Sequence, residues 1–123
     1  MLSESDVEKI TTIIVRSQAP LAVGIFGSYS VGTQRDGSDL DLFVIAATTL
    51  LPAARRKAVQ RLLFGVLHPI DIHVFTPQEF EDGAYEYLSF PWVIARQAKL
   101  YYWSPDAAVH VPSLAERARP SKS

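Results

Sequence analysis

Two aspartates, Asp39 and Asp41, stand ten residues beyond a Gly27-Ser28 pair in the run GSYSVGTQRDGSDLD, residues 27–41. On an extended strand, residues i and i+2 point to the same face, so the two carboxylates sit side by side. Such a pair repels itself, and burial raises at least one pKa unless a cation lies between the two. A hard divalent cation, Mg2+ before others, resolves the conflict with oxygen ligands. The Gly-Ser turn upstream can bring backbone N–H groups close to a phosphate. A cation site and a phosphate cradle this close together imply a nucleotide site.

Transfer chemistry on a nucleotide wants a third group, to accept a proton from the attacking hydroxyl or to ligate a second cation. Asp71 is the candidate, near the start of the apolar run IDIHVF (70–75), where an unpaired carboxylate is costly. If the runs are sheet neighbours, Asp71 reaches the cavity of Asp39 and Asp41. His73 shares its face and either lines the site or plays a structural part. Competing readings are a phosphatase with an aspartyl nucleophile, which leaves the Gly-Ser turn unexplained, and a loop merely rich in turn formers. There is no P-loop and no GxGxxG, and GSYS is not a nucleophile elbow.

These side chains need elements to hold them. Ser3–Gln18 reads as an amphipathic helix capped by Ser3, or by Ser5 with Glu8 as its capping-box partner. Leu21–Phe26 is an apolar strand buried on both faces, and Gly27 ends it. Ser28–Val31 starts a short helix, and 32–38 forms a polar loop. Leu40–Ala46 is a second strand with Asp39 and Asp41 at its start. Pro52 opens a helix with Ala58, Leu62, Leu63 and Val66 inward; Arg55, Arg56, Lys57 and Arg61 form either its solvated face or a phosphate patch. Ile70–Phe75 is a third strand, Thr76-Pro77 a capped helix start, Phe90–Lys99 a last helix and Leu100–Trp103 a short edge strand. The 123 residues suit a single domain over 1–103, with 104–123 expected as a flexible tail rich in Pro, Ser and Arg. With 48% apolar residues the chain can fill a core, and its net charge of −1 gives it no general pull toward nucleic acid. Without cysteine, disulfides, zinc thiolates and thiol catalysis are excluded. The first residues lack a signal-peptide layout and no apolar run reaches spanning length, so a cytoplasmic protein without membrane contact is expected.

The motif resembles that of the DNA polymerase β-like nucleotidyltransferases: Phe26-Gly27-Ser28, ten residues, then Asp39-Leu40-Asp41 with Leu42-Phe43-Val44. Gly32-Thr33 and Asp36-Gly37-Ser38-Asp39 are similar to the minimal members of that superfamily. Ile70-Asp71-Ile72 resembles their third acidic strand, Thr76–Phe80 the helix start after it, and Lys99–Tyr102 the closing strand. The likeness covers about residues 5 to 103. It implies an α/β (α+β) fold, a short mixed sheet flanked by helices with the site at one sheet edge. It also implies that Asp39, Asp41 and Asp71 hold Mg2+ and carry catalysis, and that Gly27, Ser28 and Ser38 bind the nucleoside triphosphate, ATP or another.

The resemblance further implies an antitoxin that transfers AMP to a tyrosine of a cognate HEPN-type ribonuclease toxin. So short a domain lacks the second lobe that would grip an antibiotic or an RNA, which suits an acceptor carried on a protein. The alternatives are a non-catalytic antitoxin acting by contact, and a small-molecule nucleotidyltransferase whose acceptor site is completed by a dimer mate. Homo- or hetero-oligomers fit either case, since the aromatic stretch from Tyr85 to Trp103 can bury a surface against a partner. One departure stands out. Many relatives are basic just after Gly-Ser, where this chain has Tyr29, Ser30 and Val31. Arg35 is then either a compensating phosphate contact or a solvated loop residue.

Overall fold

The computed structural model describes residues 2–118. A four-stranded sheet has the order β3-β2-β1-β4, with β1 Ala22–Phe26, β2 Leu40–Ile45, β3 Ile70–Phe75 and β4 Lys99–Trp103. β1 runs antiparallel to both β2 and β4, whereas β2 and β3 are parallel. The sheet is therefore mixed, as the resemblance implies. The parallel pair needs a crossover, which α3 (Pro52–Leu62) supplies.

The strand pattern builds two cores. On one face Val23, Ile25, Leu40, Leu42, Val44 and Ile72 meet α1 (Glu4–Gln18) and α3. α1 buries Val7, Ile10, Thr11 and Ile14, the i, i+3, i+4, i+7 stripe of an amphipathic helix. Its N-terminus is closed by Ser3 and Asp6, whose side chains each accept the other's backbone N–H at 3.1 and 2.9 Å. The capping box thus begins at Ser3 rather than Ser5. On the other face Ala22, Phe26, Phe43 and Ile45 meet α4 (Pro77–Ala84) and α5 (Phe90–Gln97) through Phe80, Ala84 and Ile94. Each fully buried Leu, Ile or Phe of these cores adds about 1.5–3 kcal/mol.

Three features differ from the sequence expectation. α3 turns Val59 inward and leaves Ala58 half-buried, while Leu63, just past its end, is buried as expected. Arg55 is no part of a solvated basic face: it is buried, donates to the Leu50 carbonyl at 2.7 Å and pairs with Glu79 at 2.6 Å. Beyond Ser104 the chain does not leave the fold at once. α6 (Ala107–His110), a 3-10 turn at Pro112–Leu114 and α7 (Ala115–Ala118) follow, with Ala107, Val111 and Leu114 buried. Val111 and Leu114 join the second core. The remainder of the expected tail, 119–123, lies outside the described residues.

Candidate active site

The site lies where β1 ends and β2 and β3 begin. Parallel register sets Asp41 beside Asp71 and Phe43 beside His73, so Asp71 reaches the same face as Asp41. A ligand atom from each of Asp41, Asp71 and His73 lies within 4.8 Å of the other two. Asp39, one residue ahead of β2, is exposed and stands outside this group. Its charge still acts on Asp41.

The electrostatics are those of a site suited to a cation. The Asp41 carboxyl is raised above its ordinary value, first by burial and next by the Asp71 charge. His73 opposes the rise, and Asp39 adds a little to it. Among the described residues no lysine or arginine forms an ion pair with any of the three aspartates. The nearest basic nitrogen to a carboxylate there is His73 Nε2, 3.7 Å from Asp71 Oδ2. That nitrogen is buried and has no hydrogen-bond partner. Two crowded carboxylates and an orphaned imidazole nitrogen are a donor set that a divalent cation fits.

Gly27 makes room for this arrangement. Its φ is +73°, and a Cβ there would collide with the Asp41 carboxylate. Phe26 pairs with Asp41 across the β1–β2 ladder, so the turn at Gly27 passes directly over the acid. The Gly27 N–H donates to Gln97 Oε1 at 3.1 Å. The Gly27 carbonyl accepts from Ser30 Oγ and from the N–H groups of Ser30 and Val31, which starts α2 (Ser28–Val31). The N–H groups of Ser28 and Tyr29 are left without an intrahelical acceptor, as at any helix start.

Ser38 sits in a loop clasp. Its N–H donates to the Arg35 carbonyl, and its Oγ accepts from the Arg35 N–H, both at 2.9 Å. Its carbonyl lies 2.8 Å from His68 Nε2, which is 3.3 Å from the Tyr29 hydroxyl. That hydroxyl accepts the Leu2 N–H at 3.2 Å. Tyr29 is therefore a buried strut under the loop, which accounts for an aromatic where a basic residue was expected. Gln97 gave no signal in the sequence, because its partner is 70 residues away. Phe90, which lies tilted against His73 with centroids 4.4 Å apart, shows in the sequence only as a helix start. His73 also lines a groove of about 370 Å³, together with Arg56, Phe75 and Phe90.

A mixed sheet with helices on both faces, a Gly-Ser turn over one acid and a second acid on the parallel neighbour define the nucleotidyltransferase class. Residues 8–89 match the family described as Polymerase beta, Nucleotidyltransferase, and the chain belongs to that family. The protein adenylyltransferase MntA of Shewanella oneidensis is 44% identical over 48 residues, which are 39% of this chain and 34% of that protein. The match therefore spans about a third of the length of this relative. A toxin–antitoxin structure with AMP-PNP superposes with a TM-score of 0.58 at 24% identity, over 90% of this chain and 86% of that one. A complex of the tri-AMPylated Shewanella oneidensis HEPN toxin with its MNT antitoxin gives 0.52 at 20% identity, over 90% and 82%. At these identities the two structures speak for the fold. Among the described residues, no helix is long and apolar enough to cross a membrane.

Proposed function

We propose that this protein transfers AMP from ATP to a hydroxyl, that of a tyrosine on a cognate HEPN-type toxin, and so acts as an antitoxin in the cytoplasm. The observation that carries the reading is the juxtaposition of Asp41 and Asp71 beneath the Gly27 turn. The relative named a protein adenylyltransferase and the fold shared with MNT antitoxins support the choice of acceptor. Exposed Tyr85, Tyr87 and Leu88, at 83%, 76% and 64%, offer apolar surface for a protein partner.

In this reading Asp41 and Asp71 would hold Mg2+, with Asp39, one residue ahead of β2, as the further carboxylate of the site. When bound, the cation neutralises triphosphate charge and polarises the α-phosphate. Gly27, whose own N–H is held by Gln97, turns the backbone so that Ser28 presents its N–H to the phosphates, and Ser38, whose hydroxyl hydrogen is still free to donate, closes over them. The acceptor oxygen forms a bond to the α-phosphorus as the bond to the bridging oxygen breaks. Pyrophosphate leaves with the electron pair, and the exposed Asp71 carboxylate takes the hydroxyl proton.

The test is intact-mass spectrometry of the HEPN partner after incubation with this protein, ATP and Mg2+. The expected result is a gain of one or more AMP units that is absent with Asp41→Asn. A stable complex without a mass gain, neutralising the toxin equally well with Asp41→Asn, would replace transfer by inhibition through contact. Turnover on a small alcohol without any protein acceptor would make this a small-molecule enzyme.

A further inference from the structure

We infer that His73 is a nitrogen ligand of the cation held by Asp41 and Asp71, and that it tilts this site toward Mn2+ over Mg2+. The inference rests on the reading of those two aspartates as cation ligands and adds to it the identity of the metal.

Three observations meet at this ring. Its Nε2 is buried and makes no hydrogen bond, although buried polar atoms ordinarily find a partner because desolvation is otherwise uncompensated. The same nitrogen faces Asp71 Oδ2 at 3.7 Å, too far for a hydrogen bond and within the span across which two ligands share one ion. Finally, the ring is held in place. It sits against Phe26 at 5.3 Å and Phe90 at 4.4 Å between centroids, so the aromatic side chains fix the direction of the nitrogen. A histidine needed only for packing here would leave its polar atom stranded where a phenylalanine would pack as well. A cation between the carboxylates supplies the missing partner.

The choice of metal follows from the donor. Mg2+ keeps to oxygen and holds its waters, whereas imidazole nitrogen favours first-row transition metals, of which Mn2+ also accepts carboxylates readily. Two carboxylates alone serve both ions. A fixed imidazole beside them adds far more to the binding of Mn2+ than to that of Mg2+.

The experiment uses the nucleotide-free protein. Mn2+ is titrated by electron paramagnetic resonance, and Mg2+ by competition against it. The wild type is expected to bind Mn2+ more tightly than Mg2+, and pulsed measurements should show nitrogen hyperfine coupling to the bound Mn2+. His73→Phe should weaken Mn2+ by roughly tenfold or more, leave Mg2+ nearly unchanged and abolish the coupling. A melting curve in EDTA checks that the variant folds. Equal losses for both ions, Mn2+ that binds no better than Mg2+, or bound Mn2+ without nitrogen coupling would overturn the inference. If His73→Phe does not fold, the coupling in the wild type decides alone. None of these readouts involves AMP transfer. Nitrogen coupling without transfer would therefore defeat only the enzymatic reading, and transfer without coupling only this one.

Discussion

Asp41 carries opposed demands, and they make it the residue at which the site can be tested without any substrate. Burial and the neighbouring Asp71 raise its carboxyl above its ordinary value in the folded chain. A raised acid binds its proton more tightly folded than unfolded, so ionising it costs stability. That cost is absent below the unfolded pKa and grows as pH rises toward the folded one. Asp41→Asn is thus expected to melt above the wild type at pH 7 in EDTA, with the difference vanishing near about pH 3. Added divalent cation should reverse the order, stabilising the wild type alone. Thermal melts under the three conditions check this, and a variant less stable than the wild type in EDTA at pH 7 would contradict it. Gly27 gives a second test through a paired comparison. Gly27 and Gly32 both have positive φ, but only at Gly27 would a Cβ strike the Asp41 carboxylate; Gly32 faces open space. Gly32→Ala should cost roughly 1–2 kcal/mol of left-handed backbone strain in a urea melt, and Gly27→Ala more, because its φ of +73° with ψ of −152° is a region nearly confined to glycine and the collision adds to the strain. Only Gly27→Ala should also lose divalent-cation binding, measured by titration calorimetry.

At the scale of elements, the strands were the legible part. Apolar runs bounded by Gly27, Pro69 and Pro77 marked β1 and β3, and the Asp-Leu-Asp alternation oriented β2. These set Asp71 near Asp41 only on the condition that the two runs are sheet neighbours; the parallel pairing and the register that put the two acids side by side come from the fold. Charge on helices was less legible, because a sequence shows an arginine without its partner. Arg55 reads as solvated until its chain folds over Leu50 to meet Glu79, which caps α4 with Thr76. That junction ties the start of α3 to the start of α4. The Glu79 carboxyl is held below its ordinary value, first by the Arg55 hydrogen bond. A depressed acid contributes stability above its unfolded pKa and loses it as pH falls through the folded one. With the Glu79 side chain 44% exposed, solvent screens much of the ion pair. Glu79→Gln should therefore cost only about 1 kcal/mol at pH 7, and the gap should close on acidification below the glutamate range. Urea melts at the two pH values measure it, and a gap that widens in acid would refute the assignment.

For the molecule as a whole, the second core decides what the fold requires. Its residues come from β1, β2, α4 and α5, and from the stretch after β4 that composition alone assigns to a tail. Pro, Ser and Arg make up nine of the twenty residues of that stretch, yet Ala107, Val111 and Leu114 stand at i, i+4 and i+7, carried inward by α6, the bend at Val111 and the 3-10 turn rather than by one helix. Three apolar residues at that spacing suffice when an open patch of sheet and helix awaits them, a condition no local reading of sequence contains. Leu114 is fully buried against this core. Leu114→Ala should thus destabilise by about 2–5 kcal/mol, a large share of the roughly 5–15 kcal/mol that holds a typical domain. A dispensable tail would show almost no change in a denaturant melt. Because Leu114 is not among the cation-site residues, the variant should still bind divalent cation well below its lowered melting temperature. Loss of cation binding in a folded Leu114→Ala protein would mean that the second core shapes the site through α5, whose Gln97 holds the Gly27 turn over Asp41.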